Sequence, residues 1–153
     1  SKEIGMVMIN ASTIGFPMLY EIRKMTKIPI LSHLAMQGVY AQSFSPKLFA
    51  KLHRLFGCDA FTAPIANVDY FNINKEEEKE IVNEFTKKLP VKEVLPILCG
   101  GAKINNLREI TKNYEDKVPY ELVFGSQIFA SVESPIKACQ KIIKEMGDIQ
   151  AKN

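Results

Sequence analysis

Two glycine turns and one histidine are the residues whose types and placing admit chemistry. Gly100-Gly101 follows the apolar run VLPILC, and Gly125-Ser126-Gln127 follows YELVF. Glycine lets a backbone come close to a ligand and turn its N–H groups towards it. Helical patterns begin soon after both turns, so two positive helix ends point the same way. That is the chemistry of phosphate binding; the alternative is that the glycines only permit tight strand-to-helix turns. His33, in SHLAM, ends another apolar run, where a histidine can donate a hydrogen bond or relay a proton near neutral pH. It is the candidate catalytic residue, set against a packed, hydrogen-bonded structural histidine. Cys99 would be a nucleophile only if an amide-rich pocket lowered its pKa, and no second histidine stands at a strand end to assist it. Lys103 adds a point charge beside the first turn. His53, mid-helix among apolar neighbours, reads as structural.

The elements that must position these residues are clearest from Pro29 to Ala66. Pro29–Leu34 has the shortness and apolarity of a buried strand. Ser45-Pro46 gives an N-cap with proline at the first helical position. Leu48, Phe49, Leu52, Leu55 and Phe56 recur at helical spacing, and Gly57 stands where the helix stops. Cys58–Ala63 is a second strand. A helix between two strands, with no hairpin turn, implies a parallel crossover.

The unit repeats. Glu3–Ala11 reads as a buried strand, followed by a helix with Met18, Leu19, Ile22 and Met25 inward. Asn74, with Glu77 at the capping-box position, opens a charged helix whose apolar stripe is Ile81, Val82, Phe85 and Leu89. The run Glu76–Glu80 reads as a solvated face rather than a metal site. Glu93–Leu98 is the fourth strand; Leu107, Ile110 and Tyr114 face inward from the next helix; Tyr120–Phe124 is the fifth strand. Ser134-Pro135 caps a last helix with Ile136, Cys139, Ile142, Ile143 and Met146 inward and Gly147 at its end. These five βα units predict an α/β fold with an all-parallel sheet. Two architectures fit: a doubly wound open sheet, flavodoxin-like with a nucleotide at its strand ends, or five units of a (β/α)8 TIM barrel. In both, the site lies at the carboxyl ends of the strands, which adds Asn10 and Thr62 to the ligand-facing positions.

Composition bounds the partners. The chain has 153 residues, 46% of them hydrophobic, enough for one α/β domain over 1–153 with a real core. Net charge is +3 with no long basic block, which gives nucleic-acid binding no support. No apolar run approaches the ~20 residues of a membrane span. Cys58, Cys99 and Cys139 lie in apolar contexts and read as buried free thiols of a cytoplasmic protein.

The order of the blocks resembles the C-terminal part of the barrel in the RuBisCO large-chain superfamily, especially the RuBisCO-like proteins. MVMINASTIGF is similar to the fourth barrel strand and its turn, and PILSHLAMQGVYAQSF to the fifth. SPKLFAKLHRLFGCDAF is similar to the following helix and sixth strand, PILCGGAK to the Ser-Gly-Gly turn, and VFGSQIF to the last glycine run. The resemblance favours barrel strands four to eight over the open sheet. It implies a phosphorylated sugar-like substrate, magnesium-dependent enolisation and an oligomer. In that frame Gly100, Gly101, Gly125, Ser126 and Gln127 hold phosphate, and His33 faces the substrate beside Asn10, Thr62, Cys99 and Lys103. There are departures. Leu34 stands where carboxylating members have a phosphate-binding arginine; Gln37, Thr62 and Lys103 replace histidines, and Cys99 a serine. The family's metal-binding lysine, aspartate and glutamate lie on a strand with no counterpart here. The resemblance therefore implies at most part of an enolase or lyase, with magnesium only in a complete assembly. That assembly needs an N-terminal barrel half or another copy of the chain. The competing expectation is a non-catalytic half-barrel that binds a ligand or partner chain.

Overall fold

Five parallel strands in the order β1-β2-β3-β4-β5 form one sheet. The computed structural model describes residues 4–40, 43–66, 73–114, 118–130 and 134–151. The strands are β1 (Val7–Ile9), β2 (Ile30–Ser32), β3 (Ala60–Pro64), β4 (Leu95–Cys99) and β5 (Glu121–Leu122). Between and after them run α1 (Ala11–Ile14), α2 (Phe16–Met25), α3 (Gln37–Tyr40), α4 (Pro46–Leu55), α5 (Lys75–Thr86), α6 (Leu107–Tyr114), α7 (Ser126–Phe129) and α8 (Pro135–Gln150).

The strand order decides between the two architectures. A doubly wound sheet reverses its order at a switch point; here each strand pairs only with its neighbours in sequence. Crossovers of one hand then place their helices on one face, as in a barrel wall. Register and burial agree. Ser32 pairs with Phe61 and Phe61 with Pro96. The Phe61 ring meets Phe49 and His53 of α4 and Phe85 of α5. Leu98, Ile110 and Tyr114 continue that core. The opposite face carries Met8, Leu31 and Ala60 in one row and Thr62, Ile97 and Glu121 in another. β3 is buried throughout, as a central strand should be.

The helix signals in the sequence operate as local chemistry requires. Ser45 Oγ accepts from Leu48 N at 3.2 Å, with Pro46 behind it. Asn74 and Glu77 exchange both bonds of a capping box. Gly57 leaves α4 with φ 97°, and a Cβ there would stand 2.6 Å from Arg23 Cγ. The left-handed turn and the close packing both demand glycine.

Several expectations need correction. The first strand is short and half-exposed rather than buried over residues 3–11: Met8 is 65% exposed. Of the face expected inward on α2, Leu19 is buried but Met18 and Met25 are exposed. On α4, Leu48 and Leu55 are exposed, and the buried face instead runs through Phe49, Ala50, His53 and Arg54. On α8 the buried positions are Ala138, Ile142 and Ile149, while Ile136, Ile143 and Met146 are exposed; the helix also continues past Gly147. For α2 and α8 the physical reason is shared: their apolar positions are at helical spacing, but the two helices flank the unpaired sheet edges, where no further layer among the described residues covers their outer stripes. The carboxylate run is not wholly solvated either, because Glu78 is 6% exposed.

A polar floor ties the amino ends of the strands together. Asp59 accepts from Ile30 N at 2.7 Å and from Arg23 at 2.6 Å, and pairs with Lys92. The guanidinium of Arg54, buried at 2% exposure, donates to the carbonyls of Glu84, Lys87, Val91 and Lys92 at 2.6, 2.8, 3.1 and 2.8 Å. A buried cation is tolerable when donors on its fork all find acceptors.

Candidate functional site

The strand ends bring His33, Thr62 and Cys99 to one mouth. His33 N donates to Ile9 O at 2.8 Å, which fixes it beyond the end of β2. Ala35 N donates to His33 Nδ1 at 3.0 Å. In the neutral ring the proton therefore sits on Nε2, which makes that atom a donor. Met36, three residues on, holds φ 69°, a left-handed conformation that bulky side chains avoid. Strained backbone of this kind gathers at binding sites, and the sequence carried no sign of it.

Thr62 and Cys99 form a second link across the mouth. Leu34 N donates to Thr62 Oγ1 at 2.7 Å. The Thr62 hydroxyl also hydrogen-bonds the Cys99 thiol. Burial pushes that thiol up to about 11, the Thr62 bond offsetting only part of the rise. Cys99 is thus a neutral thiol at physiological pH, which argues against a thiolate nucleophile. Burial pushes Cys58 higher still, to about 12, and all three cysteines are free.

The two glycine turns lie on neighbouring strand ends. Leu98 pairs with Leu122, and Val123 N donates to Leu98 O at 3.0 Å, so the chain leaves β4 and β5 side by side. Gly100 has φ 74°, which requires glycine. Asn106 braces this turn: its Oδ1 accepts from Lys103 N and its Nδ2 donates to Gly101 O, both at 2.8 Å. Gly125 differs, because a Cβ there would meet nothing within 4 Å. Ser126 and Gln127 open α7, and their side chains, like that of Gln37, lie outside the described set. Asn10 Oδ1 accepts from Ser12 N, so this residue also caps α1.

Gly101 and Lys103 line a polar cavity of about 240 Å³ with Lys75, Lys79, Glu78 and Glu109. Lys75 pairs with Glu109 across its rim. Glu78 is the residue that reading the sequence missed. Its carboxylate accepts from Ala66 N and from the Tyr114 hydroxyl. It therefore joins the exit of β3 to α5 and α6. Burial and the Glu78 carboxylate both push the Tyr114 hydroxyl well above its usual range. The signal was present, since Glu78 continues the stripe of Ile81, Val82 and Phe85 at helical spacing. Among the described residues no group of three His, Cys, Asp or Glu side chains is placed to hold a metal ion.

The fold has counterparts among solved structures. The octameric ribulose-1,5-bisphosphate carboxylase/oxygenase (Rubisco) of Pyrococcus horikoshii superposes with a TM-score of 0.80 over 96% of this chain, at 20% identity. The fold is that of the C-terminal part of a Rubisco barrel. A Rubisco-like protein of Alicyclobacillus acidocaldarius gives 0.81 over 97% at 17% identity, and one of Rhodopseudomonas palustris 0.74 over 95% at 19%. The chain spans only 36%, 38% and 38% of these three proteins. No protein-family model and no curated protein matches the sequence. The Rubisco-like barrel accounts for the sheet's two unpaired edges, because five strands fall short of the eight that close such a wall. Among the described residues no helix is long and apolar enough to cross a membrane.

Proposed function

We propose that this chain supplies strands four to eight of a Rubisco-like barrel, and that the completed assembly binds a phosphorylated sugar-like substrate. The observation that carries the reading is the placing of the Gly100-Gly101 and Gly125 turns on neighbouring strand ends, with His33 at the same mouth. Backbone N–H groups of the two turns, including those of Ser126 and Gln127, hold the phosphate. Lys103 lends charge from the rim. His33 Nε2–H donates to a substrate oxygen, and Asn10, Thr62 and Cys99 shape the wall. The Rubisco of Pyrococcus horikoshii is octameric and that of Hyperthermus butylicus dimeric, and this chain completes its barrel with an N-terminal half supplied from outside these residues or with another copy. Enolisation is the chemistry the complete assembly would run with magnesium. The described residues offer no fit for the ion, so its ligands would come from the other part of the barrel.

The test is a phosphate titration followed by amide NMR. Inorganic phosphate and then a sugar bisphosphate should shift the amides of Gly100, Gly101 and Gly125 saturably. Shifts confined to surface lysines would sink the reading. A second reading, a non-catalytic half-barrel that binds a ligand or partner chain, is favoured by Leu34. Its side chain is 5% exposed within the core cluster, so nothing at that position reaches an anion. It predicts no turnover when an N-terminal half and magnesium are both supplied.

A further inference from the structure

Asn106 bonds the first glycine turn through both ends of its amide. Its Oδ1 accepts from Lys103 N and its Nδ2 donates to Gly101 O, each at 2.8 Å. The partners fix the orientation, because a backbone N–H can only donate and a carbonyl only accept. The two bonds do different work. The bond to Lys103 N is the return half of a capping box on the 3-10 turn Ile104–Asn106, and it needs only an acceptor. The bond to Gly101 O reaches five residues back along the chain and belongs to no cap. It secures the far side of the turn, whose near side is held where Cys99 O accepts from Ile65 N at 3.0 Å. Between these anchors lie Gly100 and Gly101, which have no side chains to hold them. Gly100 is exposed and Gly101 half-buried. Their N–H groups find no acceptor among the described residues.

We propose that Asn106 is a positioning residue for anion binding at this turn: through Gly101 O it holds the two glycine N–H groups in place before the anion arrives. The inference rests on the phosphate reading of the strand ends and adds to it the side chain that orders them in advance. A loop that becomes ordered only on binding loses affinity to its own ordering, and consecutive glycines have the most backbone freedom to lose. A capping role alone would be served as well by aspartate or serine, whose oxygens accept from a backbone N–H. The bond to Gly101 O requires a second, separate donor, which is what the amide supplies.

Asn106→Ser and Asn106→Asp separate the two roles, since both keep an acceptor for Lys103 N and neither keeps the amide donor for Gly101 O. Asn105→Asp places the same charge on the adjacent residue and controls for electrostatics. Inorganic phosphate is titrated into the full 153-residue chain and followed by amide NMR. It should bind about tenfold more weakly to both Asn106 variants. Asn105→Asp should lose only about twofold, the screened effect of one exposed charge. Before phosphate is added, amide relaxation should show Gly100 and Gly101 more mobile in both Asn106 variants, with Val123 on the neighbouring strand end and the urea midpoint unchanged. Phosphate affinity unchanged in Asn106→Ser, or a loss matched by a lower urea midpoint with no added motion at the glycines, would overturn the positioning role and leave the phosphate reading standing. No saturable shift at Gly100 and Gly101 in the unaltered chain would overturn both. Asn106→Ser adds no charge and no bulk, so the test stands even where Asn106→Asp fails to fold.

Discussion

At the scale of single residues, His53 makes the sharpest commitment. It is fully buried between Phe16, Phe49 and Phe61, and its Nδ1 donates to Phe49 O at 2.8 Å. Burial lowers its pKa from 6.5 to about 4, against a smaller opposing pull from that carbonyl. The unfolded chain therefore takes up the proton first as pH falls through 6.5, and the folded chain only near 4. Stability is full above that window and should fall by about 3 kcal/mol across it. Urea unfolding at pH 7, 5.5 and 4 measures the slope, and His53→Leu should flatten it; an unchanged slope would place the acid sensitivity elsewhere. Gly125 offers a different separation. With φ outside the left-handed region and no atom near its missing Cβ, Gly125→Ala should alter unfolding free energy by no more than ~0.5 kcal/mol. If the strand ends hold phosphate, the same change should weaken phosphate binding several-fold. The sequence made both residues visible, one as a histidine among apolar neighbours and one as a glycine after a strand. It could not show that Gly100 needs its glycine for backbone shape while Gly125 does not, because that difference lies in a dihedral angle. Met36 was hidden for the same reason.

At the scale of elements, the buried charges explain what periodicity alone misjudged. Hydrophobic spacing located α4 and α5, but Arg54 and Glu78 occupy core-facing positions that a polar residue is expected to avoid. Each is there because it ends an argument about backbone groups. Arg54 accepts no substitute easily: its fork satisfies one carbonyl in the last turn of α5 and three in the connection from α5 to β4. Arg54→Met should cost about 3 kcal/mol or more, and amide exchange over residues 84–92 should accelerate ahead of the rest of the sheet. Tyr114→Phe removes the donor to one oxygen of Glu78. It should destabilise by ~1–3 kcal/mol, read by urea midpoint, and loosen the link between α5 and α6. A midpoint equal to the wild type would mean that Glu78 finds another donor. These pairings were illegible in sequence because partners such as Arg54 and Lys92 are 38 residues apart. Caps, by contrast, were legible at Ser45 and Asn74, where the signal and its partner lie within one turn.

For the whole molecule, periodicity gave five βα units but not their order, and the order carries the architecture. The same units wound in two directions would read alike in sequence. Exposure adds a consequence at both flanks. Near one edge Met8 is exposed on the open face of β1 and Met18 and Met25 on α2, with Met25 83% exposed; near the other, Ile136 and Ile143 are exposed on α8, with Ile136 71% exposed. Contiguous apolar surface beside an unpaired strand drives association. Light scattering over a range of concentrations should show self-association that an added N-terminal barrel half converts to a one-to-one complex. A stable monomer at every concentration would contradict the need for a partner. The strand order has a further consequence. Each strand, as it is synthesised, meets the one made just before it, and nothing made later has to be threaded between earlier strands. Sheet assembly and chain synthesis run in one direction. A cut in any βα loop leaves two pieces whose raw edges match, so splitting or joining genes at these loops changes covalent continuity without changing which strands meet.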